Sequence, residues 1–319
     1  MFDFFNLWKG FMHHKASTRG MSMAEKEPGQ KISYGYPLKK IKISDDDIEI
    51  AYIDEGKKDG DTIILIHGMG GGVPTWIRNI ATLKAHTRCI ALDLPGHGYS
   101  SRGNFPYTIN FYADCVLEFI GKLGIESATL IGHSMGGQIS IVAAIKSSNI
   151  VEKLILVSPA GIEPYTGAEK QLLINMTAGL VATGNAFTQQ QLNMLIGFSN
   201  DQKQADELAS RLAFFKGDGA EFGRLMLRSV EGMLLESVND ILHTIQQPCL
   251  MVVGKQDKIS PYQFLRREDY VDSVRKAASK IPNARLMVLS PCGHFVQFQR
   301  PKSFNRLVEA FLKEKEVVS

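Results

Sequence analysis

From residue 62 onward the chain carries short runs of consecutive apolar residues, at 62–66, 89–92, 130–131, 154–157, 250–253 and 286–289. A strand with one wet face alternates apolar and polar positions, so unbroken runs of this length predict strands buried on both faces. Between several of them the apolar positions recur every three or four residues, which predicts helices over 76–84, 107–123, 136–145, 269–279 and 301–316. Strands alternating with helices imply a doubly wound, mainly parallel α/β sheet. Ahead of this region, 38–44 and 48–54 alternate around Asp45-Asp46-Asp47, the pattern of an antiparallel hairpin with one solvated face.

The alternation breaks after the sixth strand. Residues 161–246 read as a mostly helical insertion, a cap, between the core segments 38–160 and 247–319. Within it, 171–200 contains no charged residue but includes Leu172, Leu173, Met176, Phe187, Met194 and Phe198, and a later part adds Phe222, Met226 and Met233. One face of a cap helix must bury itself on the sheet domain, yet so long an uncharged stretch exceeds that need. Flexible Met and Phe side chains suit an adaptable apolar site for an acyl chain or ring.

At 319 residues, with 44% hydrophobic and 22% charged content, the chain can bury a large core. The net charge is +3, with +4 in residues 1–40 and −1 in the remainder, so the body offers no nucleic-acid surface. The four cysteines lack disulfide-framework or zinc-ligand spacing and read as reduced thiols of a cytoplasmic protein. Residues 1–37 form an amphipathic segment and linker. Phe4, Trp8 and Phe11 share one helical face, followed by Lys15 and Arg19, which predicts peripheral contact of residues 1–20 with the inner face of a membrane. The competing readings are a terminal helix packed on its own domain and a translation start at Met21 or Met23. The segment is too short to span a bilayer.

The candidate chemistry centres on Gly132-His133-Ser134-Met135-Gly136, between a predicted strand and a predicted helix. A serine hydroxyl becomes a useful nucleophile only beside a base and beside donors for an oxyanion. Glycines on either side of Ser134 allow the close approach that a strained strand-to-helix turn demands, and the Met135 N–H then faces an oxyanion. After the 62–66 strand comes His67-Gly68-Met69-Gly70-Gly71-Gly72, where Met69 N–H is the candidate second donor; no Gly-Lys-Ser/Thr follows, so the loop is not a phosphate cradle. His97, in Asp93-Leu94-Pro95-Gly96-His97-Gly98, reads as structural. Of the eight histidines, His294 is best placed to be the base, just beyond the 286–289 strand. Asp257 follows the 250–253 strand and is selected as the orienting acid by position and elimination, because 154–157 is followed by Ser158-Pro159-Ala160.

This ordered set of segments resembles the α/β-hydrolase-fold serine hydrolases over about residues 38–315. The resemblance implies a Ser134–His294–Asp257 triad, an oxyanion hole from the N–H groups of Met69 and Met135, an acyl-enzyme mechanism, and no metal or cofactor. Family members that cleave epoxides or carbon–halogen bonds use aspartate at the elbow, which Ser134 argues against. The expected substrate is a small apolar carboxylic ester, with monoacylglycerols as one example, and Trp76, Phe187, Met194, Phe198 and Phe295 are candidates for lining its site. The alternatives are a carbon–carbon bond hydrolase of the ring-fission type, with Arg78, Arg211 or Arg224 receiving a substrate carboxylate, and a hydrolase-fold ligand-binding protein.

Overall fold

The computed structural model describes residues 33–43, 48–182, 204, 207–208, 219–259, 265 and 268–314. Within them, eight strands form one sheet: β1 (Lys39–Ile43), β2 (Ile48–Gly56), β3 (Thr62–Ile66), β4 (Arg88–Leu92), β5 (Ala128–His133), β6 (Val151–Val157), β7 (Cys249–Gly254) and β8 (Ala284–Leu289). The order across the sheet is β1-β2-β4-β3-β5-β6-β7-β8. β1 pairs antiparallel with β2, and β2 with β4; every later pairing is parallel. The Asp45-Asp46-Asp47 turn expected between β1 and β2 lies outside the described residues.

The unbroken apolar runs have the expected cause except at 286–289, where β8 ends the sheet and leaves Met287 and Val288 exposed, so that run is not buried on both faces. On β3, Ile64 and Ile66 face one core while Ile63 and Leu65 face the other, and both cores are sealed by helices. On the first side lie α2 (Ile109–Lys122), α3 (Met135–Lys146) and α6 (Tyr270–Ala278); on the second lie α1 (Ile77–Leu83) and α8 (Pro301–Lys313), with the short α7 (Val296–Gln299) leading into α8. Two helices start at side-chain caps: Thr108 accepts from Phe111 N–H ahead of α2, and Asp269 accepts from Val271 N–H ahead of α6.

Strand β6 begins three residues earlier than the apolar run suggests. Glu152 and Lys153 interrupt that run, but Lys153 is buried because its Nζ donates to the carbonyls of Leu312 and Glu314, at 3.2 and 2.9 Å, where α8 ends.

The region after β6 contains two described helices, α4 (Gly167–Ala182) and α5 (Gly219–Leu235), which pack on one another. Helix α5 is fixed to the core: Gln138 Nε2 donates to the carbonyls of Met233 and Glu236, at 3.0 and 2.9 Å. Among the described residues, no helix is long and apolar enough to cross a membrane. The tail residues 1–20 and the cap candidates Phe187, Met194 and Phe198 lie outside the described residues.

Candidate active site

Parallel sheets bind ligands beyond the carboxyl ends of their strands, where the strand order reverses. Here β3 runs on to β4 on one side and β5 returns on the other, so the loops after β3 and β5 flank that crevice.

Ser134 occupies the turn from β5 to α3 with φ 53° and ψ −119°, a conformation that costs a non-glycine residue about 1–3 kcal/mol. Surrounding contacts hold it there. Its N–H donates to Val157 O at 2.9 Å, and its own carbonyl accepts from Gly137, Gln138 and Ala160. The flanking glycines allow a close approach: a Cβ on Gly132 would lie 2.2 Å from Gly136 O, and one on Gly136 would lie 2.3 Å from Ile66 O. Met135 opens α3, whose backbone ladder starts with the Gly137 and Gln138 bonds to Ser134 O, so the Met135 N–H stands outside it.

The loop after β3 lies directly against the serine, since a Cβ on Gly68 would come within 3.0 Å of Ser134 Cβ. Residues 68–71 form a turn closed by Gly71 N–H to Gly68 O at 3.0 Å, and Gly70, at φ 67°, supplies the positive φ such a turn needs. That bond does not use the Met69 N–H.

Three bonds tie this loop to the segment after β4. Leu94 N–H donates to His67 Nε2 at 3.0 Å, Gly70 N–H to His97 Nε2 at 3.2 Å, and Val73 N–H to Asp93 Oδ1 at 2.8 Å. Both histidines carry their proton on Nδ1, donating to Gly68 O and Pro95 O respectively. Burial holds His67 well below the usual imidazole range and brings His97 down to about 4, so both are neutral. Asp93 also accepts from Tyr34 Oη at 2.5 Å and Tyr99 N–H at 2.9 Å, and burial still pushes its carboxyl up to about 6. His97 is therefore structural, as expected, but its partners extend beyond its own turn.

His294 and Asp257 meet across the ends of β7 and β8. Asp257 Oδ2 accepts from His294 Nδ1 at 2.8 Å, with residue exposures of 4% and 8%. Asp257 Oδ1 accepts from Ile259 N–H at 3.1 Å, which fixes the carboxylate plane. Because a carboxylate only accepts, Nδ1 is the donor, and in the neutral imidazole this tautomer places the lone pair on Nε2.

The two loops are laced together. Gln256 N–H donates to Cys292 O at 2.8 Å, Cys292 N–H to Gln256 Oε1 at 2.7 Å, and Gly293 N–H to Gln299 Oε1 at 2.7 Å. His133 links them to the elbow, its Nε2–H donating to His294 O at 3.1 Å and its ring lying 4.8 Å from that of His294. The two glutamines are missed by a reading based on strand and loop order, because nothing in the sequence marks which loop glutamine bridges to which backbone.

The remaining lining candidates divide. Phe295 is half-buried, with its ring 4.8 Å from His133 and 5.5 Å from His294, and so borders the site. Trp76 does not fit the lining role: it is fully buried in the second core, 6.3 Å from the Phe304 ring, because the turn before α1 rotates it toward α8. Helix α5 brings two other residues over the loop, since a Cβ on Gly70 would lie 3.8 Å from Met226 Sδ and 3.9 Å from Phe222 Cζ. Arg78 is committed elsewhere, donating to Phe298 O and Gln204 Oε1, each at 2.9 Å, and pairing with Glu207 at 2.5 Å. Arg224 is exposed, and Arg211 lies outside the described residues.

A family model described as the alpha/beta hydrolase fold matches residues 61–301. The chain belongs to the α/β-hydrolase family. Over 275 residues it is 31% identical to the dihydrolipoyllysine-residue acetyltransferase component of the acetoin cleaving system of Pseudomonas putida, covering 83% of this chain and 67% of that one. Over 274 residues it is 29% identical to a 2-hydroxymuconate semialdehyde hydrolase of a Pseudomonas species, covering 82% and 89%. A crystal structure of a probable hydrolytic enzyme of Pseudomonas aeruginosa shares the fold, with a TM-score of 0.77 at 24% identity over 88% of this chain and 96% of that one.

Proposed function

We propose that this hydrolase cleaves carboxylic esters with apolar acyl or alcohol groups, monoacylglycerol-like esters among them, through an acyl-enzyme on Ser134. The observation that carries the reading is the buried His294–Asp257 bond, which commits Nδ1 to the carboxylate and leaves Nε2 for the serine proton beside a strained Ser134 elbow. Ser134 Oγ attacks the ester carbonyl while His294 Nε2 takes its proton, and the N–H groups of Met69 and Met135 receive the oxyanion. His294 then protonates the departing alcohol, takes a proton from water, and the resulting hydroxide equivalent releases the acid and regenerates Ser134. Phe295, Met226 and Phe222 supply apolar surface near the reacting carbonyl.

The second reading, carbon–carbon bond cleavage, is favoured by the similarity to the 2-hydroxymuconate semialdehyde hydrolase. Against it, Arg78 already holds a carboxylate and two oxygens of its own chain, so it is not free to receive one from a substrate. A purely ligand-binding role leaves the His294–Asp257 pair without a use. A panel of p-nitrophenyl esters tests the reading: turnover by the wild type that is lost in Ser134→Ala supports it, and no turnover on any chain length overturns it.

From the sequence alone, we further infer that residues 1–20 make a peripheral membrane contact. A protein starting at Met21 should keep activity on a soluble ester but stop sedimenting with anionic vesicles; equal sedimentation of both forms refutes the contact.

A further inference from the structure

The proposed oxyanion donor Met69 sits in a turn whose own sequence under-determines its shape. Residues 68–71 read Gly-Met-Gly-Gly, and a turn closed by one bond from residue 71 to residue 68 has two forms that differ by a flip of the central peptide, here Met69–Gly70. The flip exchanges the directions of the Gly70 N–H and the Met69 C=O while keeping the closing bond. Gly70 at φ 67° places this loop in one of the two forms.

The selection comes from outside the turn. Gly70 N–H, which belongs to the peptide that flips, donates to His97 Nε2 at 3.2 Å. His97 has its other nitrogen fixed on Pro95 O at 3.1 Å, a carbonyl that also accepts from Tyr112 Oη at 3.4 Å. Its ring lies 4.8 Å from the His67 ring and 6.2 Å from the Tyr112 ring, so it is held in position and in tautomer. Flipped, the Met69 carbonyl oxygen would meet the Nε2 lone pair, acceptor against acceptor.

We propose that His97 is a positioning residue that locks the 68–71 turn in one peptide orientation, and so sets the direction of the peptide dipole beside the oxyanion donor of Met69. This inference rests on the ester-hydrolase reading. Acting only through Gly70, His97 should influence the oxyanion-bearing transition state and not ground-state ester binding.

The test compares His97→Gln with His97→Asn. Both lose the ring, but a glutamine oxygen reaches the place of Nε2 whereas an asparagine reaches only that of Nδ1. On p-nitrophenyl butyrate we expect His97→Gln to stay within about threefold of wild-type kcat, and His97→Asn to lose roughly ten- to a hundredfold, both at near wild-type KM. Inhibition by butylboronic acid, which adds to Ser134 Oγ to give a tetrahedral borate while the serine proton passes to His294, should weaken in His97→Asn by the same factor. A packing role would lower thermal stability in both variants and leave the two catalytic readouts equal. Equal kcat and equal inhibition in the two variants overturn the role of His97. A wild type that neither turns over the ester nor binds the boronate overturns the hydrolase reading, and the proposal falls with it. Should neither variant fold, the wild type itself decides: its Gly70 amide should exchange with deuterium as slowly as the Gly71 amide, and free exchange at Gly70 overturns the lock.

Discussion

Replacing Asp257 by asparagine keeps the size of the side chain and removes one acceptor, and the surrounding bonds dictate the consequence. Oδ1 faces the Ile259 N–H and Oδ2 faces the His294 Nδ1–H, so both positions require an acceptor. If the asparagine oxygen stays on Ile259, its NH2 group faces His294, which must then move its proton to Nε2, where it points at the serine it should deprotonate. If the amide turns over, the NH2 group meets the Ile259 N–H and a buried bond is lost. Either way the productive tautomer is disfavoured, and turnover should fall roughly 10³- to 10⁴-fold. That loss corresponds to about 4 to 5.5 kcal/mol of transition-state stabilisation. The assay is steady-state hydrolysis of a p-nitrophenyl ester at pH 7.5, with active-site titration to count functional enzyme. KM should change little, because the acid does not touch substrate. Turnover of Asp257→Asn within tenfold of wild type would refute the reasoning. Glu163, buried in the loop between β6 and α4, would then be the carboxylate to replace next.

Other outcomes follow from the packing. Gly254→Ala would place a Cβ 2.1 Å from Gly293 O and 2.4 Å from Cys292 O, prying the Asp257 and His294 loops apart; kcat should drop by about a hundredfold in protein whose circular dichroism is unchanged, and wild-type kcat contradicts this. Cys292 is near His294 in sequence, but burial pushes its thiol up to about 12 and its Sγ faces Gln299 Oε1, so iodoacetamide at pH 7.5 should leave activity intact; stoichiometric inactivation mapped to Cys292 contradicts this. Acid stability should report His97. Its folded pKa lies below its unfolded one, so its contribution is complete above about pH 6.5 and is lost as pH falls through about 4, on the order of 3 kcal/mol in all. Asp93, raised to about 6, acts in the opposite sense, its contribution being lost as pH rises through 6. Because His97→Gln removes only the first effect, its melting temperature should fall less than that of the wild type between pH 6.5 and 4; parallel curves would show that His97 does not titrate as its burial requires.

What the sequence made legible was the order of chemistry along the chain. Ser134, Asp257 and His294 each follow an apolar run that marks a strand, buried in β5 and β7 but at the sheet edge in β8, and a parallel sheet brings all such loops to one end. Boundaries were less visible where a polar residue is buried with a distant partner, as Lys153 shows at β6. Trp76 was misread because an aromatic residue beside a glycine-rich loop is equally consistent with lining the crevice and with packing under it; only the rotation of the turn before α1 decides. The bonds pinning the loop after β3 to that after β4 leave no periodic trace, since Gly70 and His97 are 27 residues apart in sequence. Side-chain contacts of this kind follow from the assembled sheet and from no local pattern.

The central claim is that an acyl group is carried on Ser134. The most direct measurement is to mix the protein with p-nitrophenyl butyrate, quench in acid within the first turnover, digest, and locate any butyryl group by mass spectrometry. The expected result is a butyryl ester on Ser134, appearing with a stoichiometric burst of p-nitrophenol and absent from Ser134→Ala. Ester turnover with no butyryl group on Ser134, or with the group on another residue, would contradict the account.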